Sequence, residues 1–241
     1  MALLIVPSPL GRISGRIGDV VFRNYPDKTV VGIRPQSFTP GSDIASVHRR
    51  LRFKLTAMLS KCIKNFQPAY DLWAQHTNRK MSAYNLIFKN NYKAVFYDYI
   101  SDNVQIFPKI DFLIKPESLS INKESFRINF IPEDSHLTGT DSPKYLQMAA
   151  IIFCKEPFDQ SDSKFNFINH LSAPVEIVEG QNLSFNLFFS ENQESPSESL
   201  NQQDSAAFSR YNYHSVFVSF LALNSEKTFI QNSQTISLLN T

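Results

Sequence analysis

The chain has 241 residues, 42% apolar and 19% charged, with 21 phenylalanines, only 7 glycines and a formal net charge of +2. That is ordinary globular composition, slightly poor in charge, and long enough for one large or two modest cores. No apolar run approaches the roughly 18 residues that a membrane-spanning helix needs, so no transmembrane segment is expected.

The start, "MALLIVPSPL", holds a short apolar patch with no basic stretch before it. It reads as a first strand or arm, not as a signal peptide. The two cysteines, Cys62 and Cys154, are too far apart to suggest a disulfide framework or a metal-ligand spacing. They read as buried thiols, compatible with the cytoplasm or with an assembled particle. The small net charge hides a division. Residues 1–100 carry 15 Lys/Arg and 5 Asp/Glu, a net of +10. Residues 101–241 carry 9 Lys/Arg and 17 Asp/Glu, a net of −8. Such asymmetry points to nucleic acid, to an anionic surface, or to an acidic protein partner, including another part of the same protein.

The first element in chain order is "DVVFRN" followed by "KTVVGIRP". These β-branched runs flank "YPDK", where Pro26 and Asp27 suit the centre of a type I turn, so a β-hairpin is expected. Gly11, Gly15 and Gly18 stand before it. They leave two readings open: an arm lying closely against a partner, or a tight turn leading into the hairpin. Of the two, an arm over residues 11–18 that a partner orders is expected, ahead of a hairpin over residues 19–35. A phosphate loop is not among the readings, because a strand follows where a nucleotide fingerprint needs a helix.

The segment from Thr39 to Phe66 is the clearest helix, with Ser42 or Asp43 able to cap it. Ile44, Val47, Leu51, Leu55, Met58, Leu59 and Cys62 recur at helical spacing and are expected as its buried stripe. Arg50, Lys54, Lys61 and Lys64 form a second, cationic stripe, flanked by Arg49 and Arg52. Pro68 suits the first turn of a second helix carrying Tyr70 and Trp73. A third helical segment, "MSAYNLIFKNNYKAVFYDYI", is rich in aromatics that are expected in the core. From about residue 110 the period becomes two. At least seven short strands, among them a run over 145–154 reading as buried on both sides, indicate an antiparallel sandwich. The absence of helical crossovers argues against a parallel sheet. Residues 190–210 are polar and low in complexity, and are expected to be a loop. The expected fold is therefore α+β. A β-hairpin and helical module over residues 1–105 precedes an antiparallel β-sandwich over residues 106–241.

This order resembles an uncharacterised bacterial family known only as a domain of unknown function. The resemblance is carried by the G-x-I-S-G-x-I-G-x-V-V-x-R hairpin at residues 11–23 and by Trp73. It continues in the S-A-Y-N segment opening at Ser82 and the F-V-S…N-S-E-K…N-S-Q pattern at residues 217–234. It spans most of the chain and implies the same two-part architecture, α+β with an immunoglobulin-like β-sandwich closing the chain. It implies no activity, cofactor or site residue.

Catalytic arrangements are not found. There is no G-x-S-x-G, H-E-x-x-H, G-x-x-x-x-G-K-[ST] or C-x-x-C. His48, His76, His136, His170 and His214 are scattered, without further ligands at metal-binding spacing. The pairs Glu133–Asp134 and Asp159–Asp162 lack the ligand number of a dedicated calcium site. No metal and no cofactor is expected. The residues expected to grip a partner or an anion are Arg12, Arg16, Arg23, Arg34, Arg49, Arg50, Lys54, Lys61 and Lys64, with few acids among them. The resulting expectation is a non-enzymatic structural or interaction protein, part of a virion, fibre or secretion-related complex. Its partners would be other proteins or copies of itself. Two alternatives stand beside it: a nucleic-acid-associated protein using the basic arm and helix, and a carbohydrate-binding or hydrolytic β-sandwich.

Overall fold

The structure is a computed structural model that describes residues 2–4, 14–25, 29–33, 37, 39–77, 81–132, 143–178, 181–190 and 198–239. It divides into two compact units, Met1–Val47 and His48–Thr241, so the helices group with the later β-strands.

In the first unit the expected hairpin is present as β3 (Val20–Asn24) and β4 (Thr29–Ile33), with Val20 opposite Ile33 and Asn24 opposite Thr29. Its turn residues Pro26 and Asp27 lie outside the described residues. The hairpin belongs to a larger antiparallel sheet. β1 (Ala2–Leu4) adds to β4, and β2 (Gly15–Ile17) adds to β3. The expected arm is corrected here, because its second half is an edge strand. Ile17 sits opposite Val20, and Gly18 makes the tight turn between them with φ +58°. A left-handed backbone of that kind is open to glycine at little cost. The Arg16 Nε donates to the Gly18 carbonyl at 2.6 Å and braces the same turn. Gly11 and Ile13 lie outside the described residues.

The second unit is built in three layers. α1 (Ile44–Asn65), which begins at the end of the first unit, opens on Asp43, whose carboxylate accepts the Ser46 N–H at 2.8 Å. α2 (Gln67–Gln75) carries Pro68 in its first turn. α3 (Ala83–Asn91) is capped by Ser82, which accepts from the Asn85 N–H at 3.3 Å. α3 is shorter than the sequence suggests. Its last residue, Asn91, is buried and turns its side chain to Gln105, accepting that N–H at 2.7 Å and donating to that carbonyl at 3.0 Å.

The β-strands follow as β5 (Ser118–Ile121), β6 (Ser125–Phe130), β7 (Tyr145–Pro157), β8 (Phe165–Leu171), β9 (Val175–Glu176) and β10 (Leu183–Phe188). After α4 (Gln202–Phe208) come β11 (Tyr211–Leu223), β12 (Phe229–Asn232) and β13 (Ile236–Leu239). One sheet runs β10-β6-β5. The larger runs β12-β11-β7-β8, with β13 also on β11 and β9 also on β7, and all these strand pairs are antiparallel. The fold class is α+β. Part of the stretch expected as a polar loop is helix α4, capped by Asn201, whose side chain accepts the Asp204 N–H at 2.8 Å. Residues 191–197 of that stretch lie outside the described residues.

Two cores lie on the two faces of the larger sheet. On β7, Leu146, Met148, Ala150, Ile152 and Cys154 face the smaller sheet, where Phe126, Ile128, Phe185 and Leu187 meet them. The alternate residues Ala149, Ile151 and Phe153 pack against Leu55, Leu59, Ile63 and Trp73 of the helices. This is the expected strand buried on both sides, and period-two alternation produces both faces. Trp73 is fully buried and its indole N–H donates to the Ile106 carbonyl at 2.8 Å, satisfying its one donor.

The buried stripe of α1 differs from the expected one. Leu55 and Leu59 are buried as expected, but so are Thr56, Ser60 and Ile63, while Ile44 is 74% exposed. The hydroxyls of Thr56 and Ser60 donate to the carbonyls one turn back, at 2.8 and 2.7 Å. Satisfied inside their own helix, they enter the core at little cost. The aromatics of the third segment are also corrected. Ala83, Ile87, Ala94, Val95 and Ile100 take the core positions, while Phe96, Tyr97 and Tyr99 are exposed.

Candidate interaction groove

The cationic stripe of α1 borders a groove in the second unit. Lys54, Lys61 and Lys64 line a cavity of about 730 Å³ together with Phe53, Met58 and Tyr84. α1 supplies all but Tyr84, which α3 brings close enough for its hydroxyl to lie 3.5 Å from the Ala57 carbonyl. Helical spacing places Phe53, Ala57, Lys61 and Lys64 in succession along one side of α1. Phe53 is 59% exposed although Phe88 packs on it with ring centroids 5.0 Å apart. All three lysines are exposed and make no ion pair among the described residues. The floor is thus apolar and aromatic, the rim is positive, and among the described residues no acidic one lines it.

The other expected site residues are placed differently. Arg16 and Arg23 belong to the first unit, both exposed, with Arg16 engaged by Gly18. Arg12 and Arg34 lie outside the described residues. Arg49 and Arg50 are exposed near the start of α1 but do not line the groove. Arg52 is structural. Its guanidinium donates twice to the Tyr92 carbonyl, at 3.1 and 2.7 Å, and lies 4.3 Å from the centre of the Tyr92 ring. The geometry bolts α1 to the residue that closes α3.

Several groups with catalytic potential are also occupied. Burial pushes both the Cys62 and the Cys154 thiol up to about 12, so neither supplies a thiolate near neutral pH. His48 stacks on Tyr97 at 3.8 Å, and His76 Nδ1 donates to the Leu72 carbonyl at 2.9 Å. Asp159 accepts the Ser161 N–H at 2.8 Å, which holds its carboxyl below the usual range, and Asp162 pairs with Arg210 at 3.7 Å. Glu133, Asp134 and His136 lie outside the described residues. Among the described residues no three His, Cys, Asp or Glu side chains are grouped to hold a metal ion. No helix among them is long and apolar enough to cross a membrane.

Phe53 and Tyr84 complete the groove but have no place in a charge-based reading of the sequence. Phe53 sits between Arg52 and Lys54, and an aromatic inside a cationic stripe is the signal that could have found it.

No family model matches the chain, and no curated protein matches it. Among solved structures it is similar to a β-glucosidase from Kluyveromyces marxianus, at 9% identity and a TM-score of 0.24. That likeness covers 56% of this chain and 16% of the β-glucosidase chain, and it carries no weight for fold or function.

Proposed function

We propose that this is a non-enzymatic interaction protein, a component of a larger assembly, and that the groove on α1 receives a second copy of the chain. One observation carries the reading: an apolar floor with an exposed phenylalanine, rimmed by three lysines with no acidic residue among the described lining. Exposed apolar area of this kind marks contact surfaces, and a positive rim selects a negative counterpart. The chain supplies that counterpart in residues 101–241, whose net charge is −8. The immunoglobulin-like character of the sandwich and membership of the uncharacterised bacterial family belong to the same reading and add no activity to it.

Light scattering on the full chain tests it. Lys61→Glu/Lys64→Glu should weaken self-association at low salt, and the difference should shrink as salt screens the charges. An unchanged scattering mass would remove the reading. The exposure of Phe53 favours a second one, single-stranded nucleic acid, since a ring among lysines is also a stacking platform. Retention of an oligonucleotide at low salt, lost steeply as salt rises, would favour that reading instead.

A further inference from the structure

A second cavity, of about 420 Å³, opens at one end of the two sheets, far along the chain from the groove residues. Its wall is aromatic. Phe189, Phe208 and His214 form a continuous stack, with centroids 4.4 Å apart for the first pair and 3.7 Å for the second. Tyr211 adds a further buried ring, and Phe158 stands at the cavity 68% exposed. A large ring left that open is not explained by packing within the unit.

Part of the polar lining is committed. Ser209 donates its hydroxyl to the Ala206 carbonyl at 3.1 Å, and the Asn212 amide donates to the Glu156 carbonyl at 3.2 Å. Glu156 itself holds φ +59°, a conformation that costs a non-glycine residue energy and recurs at binding sites. His214 differs from these groups. Its Nε2 lies 3.1 Å from the Phe208 carbonyl, which can only accept, so Nε2 carries the proton. Burial lowers the basicity of the ring, which keeps it neutral near pH 7. Nδ1 is then a lone-pair acceptor on a ring that lines the cavity.

We propose that this cavity binds a small planar aromatic ligand bearing one hydroxyl or ring N–H, held between Phe158 and the edge of the Phe189–Phe208–His214 stack and donating its proton to His214 Nδ1. Methyl glucoside is the polar comparison, because each sugar hydroxyl removed from water needs a partner.

The test is an NMR titration of the full chain with phenol, toluene and methyl glucoside. Phenol should give saturable shifts confined to residues 123–124, 158, 189–190 and 205–214. Its dissociation constant should be on the order of 1 mM, as suits so few atoms. Toluene should bind at least about threefold more weakly, despite its lower affinity for water, because it cannot donate. Phe158→Ala, at an exposed position, should weaken phenol about threefold while leaving the remaining spectrum in place. Absence of saturable phenol shifts at these residues would overturn the proposal. So would equal binding of toluene, or a preference for methyl glucoside.

Discussion

The side-chain amide of Gln234 closes a two-bond ring on the backbone of Ile114, accepting its N–H at 2.9 Å and donating to its carbonyl at 2.7 Å. Asn232 and Ser233 beside it are used the same way. The Asn232 amide donates to the Lys109 carbonyl, and the Ser233 hydroxyl accepts the Phe220 N–H at 2.8 Å. The N-S-Q triplet therefore fastens the segment after the helices onto β12 and β11. Gln234→Ala should leave both groups of Ile114 short of a partner and cost about 2 kcal/mol. Urea unfolding would show it as a lower midpoint at unchanged slope. Lys54→Ala, on the exposed rim, should stay within about 0.5 kcal/mol of the parent.

Arg52 and Lys54 are two residues apart but face different tasks. Arg52→Lys should lose the two-point grip on the Tyr92 carbonyl and much of the ring stacking, lowering stability by about 1–2 kcal/mol. A thermal midpoint equal to that of the parent would show that the α1–α3 bolt is dispensable.

Both thiols are held protonated by burial, near pKa 12. The native chain should therefore react with a thiol-specific disulfide reagent far more slowly than the denatured chain at pH 8. Fast, stoichiometric labelling of Cys62 in the native state would contradict its protection.

His214 has its folded pKa lowered below 6.5, chiefly by burial. The neutral ring is thus the stabilised form. Its contribution is fully present above about pH 6.5 and is lost as pH falls through the folded value. Tyr211, Asp162 and Arg210 lie in the same region, and Asp162 is already paired with Arg210. Replacing His214 by Gln keeps an N–H donor but removes the titration. The Gln variant should lose less stability than the parent between pH 7 and 5, measured by urea unfolding. Parallel pH curves for the two proteins would refute this.

The strands were readable because antiparallel sheets write their burial at period two, and β7 could be read as doubly buried from its unbroken apolar run. The strands β3 and β4 are legible from their two β-branched runs, but the edge strand β2 is not. A Gly-Arg-Ile triplet has little strand propensity of its own, and its pairing depends on the turn at Gly18. The face of α1 was misread because Thr56 and Ser60 conceal their polarity inside the helix. The end of α3 was missed because Asn91 finds its partner at Gln105, beyond the helix. In the groove, the lysines were legible as a stripe. Tyr84 was not, because it comes from another helix. The His214 cavity is assembled from four separate stretches of chain, which no local pattern reveals.

On the proposed reading, the groove on α1 holds a second copy through Phe53 and its lysine rim. Sedimentation equilibrium of the full chain at low and high salt tests it most directly, with Phe53→Ala as the companion sample. The expected result is concentration-dependent association of the parent at low salt, weaker association at high salt, and a monomeric Phe53→Ala chain in both. A parent that remains monomeric at every concentration and salt, or a Phe53→Ala chain that associates as the parent does, would contradict it.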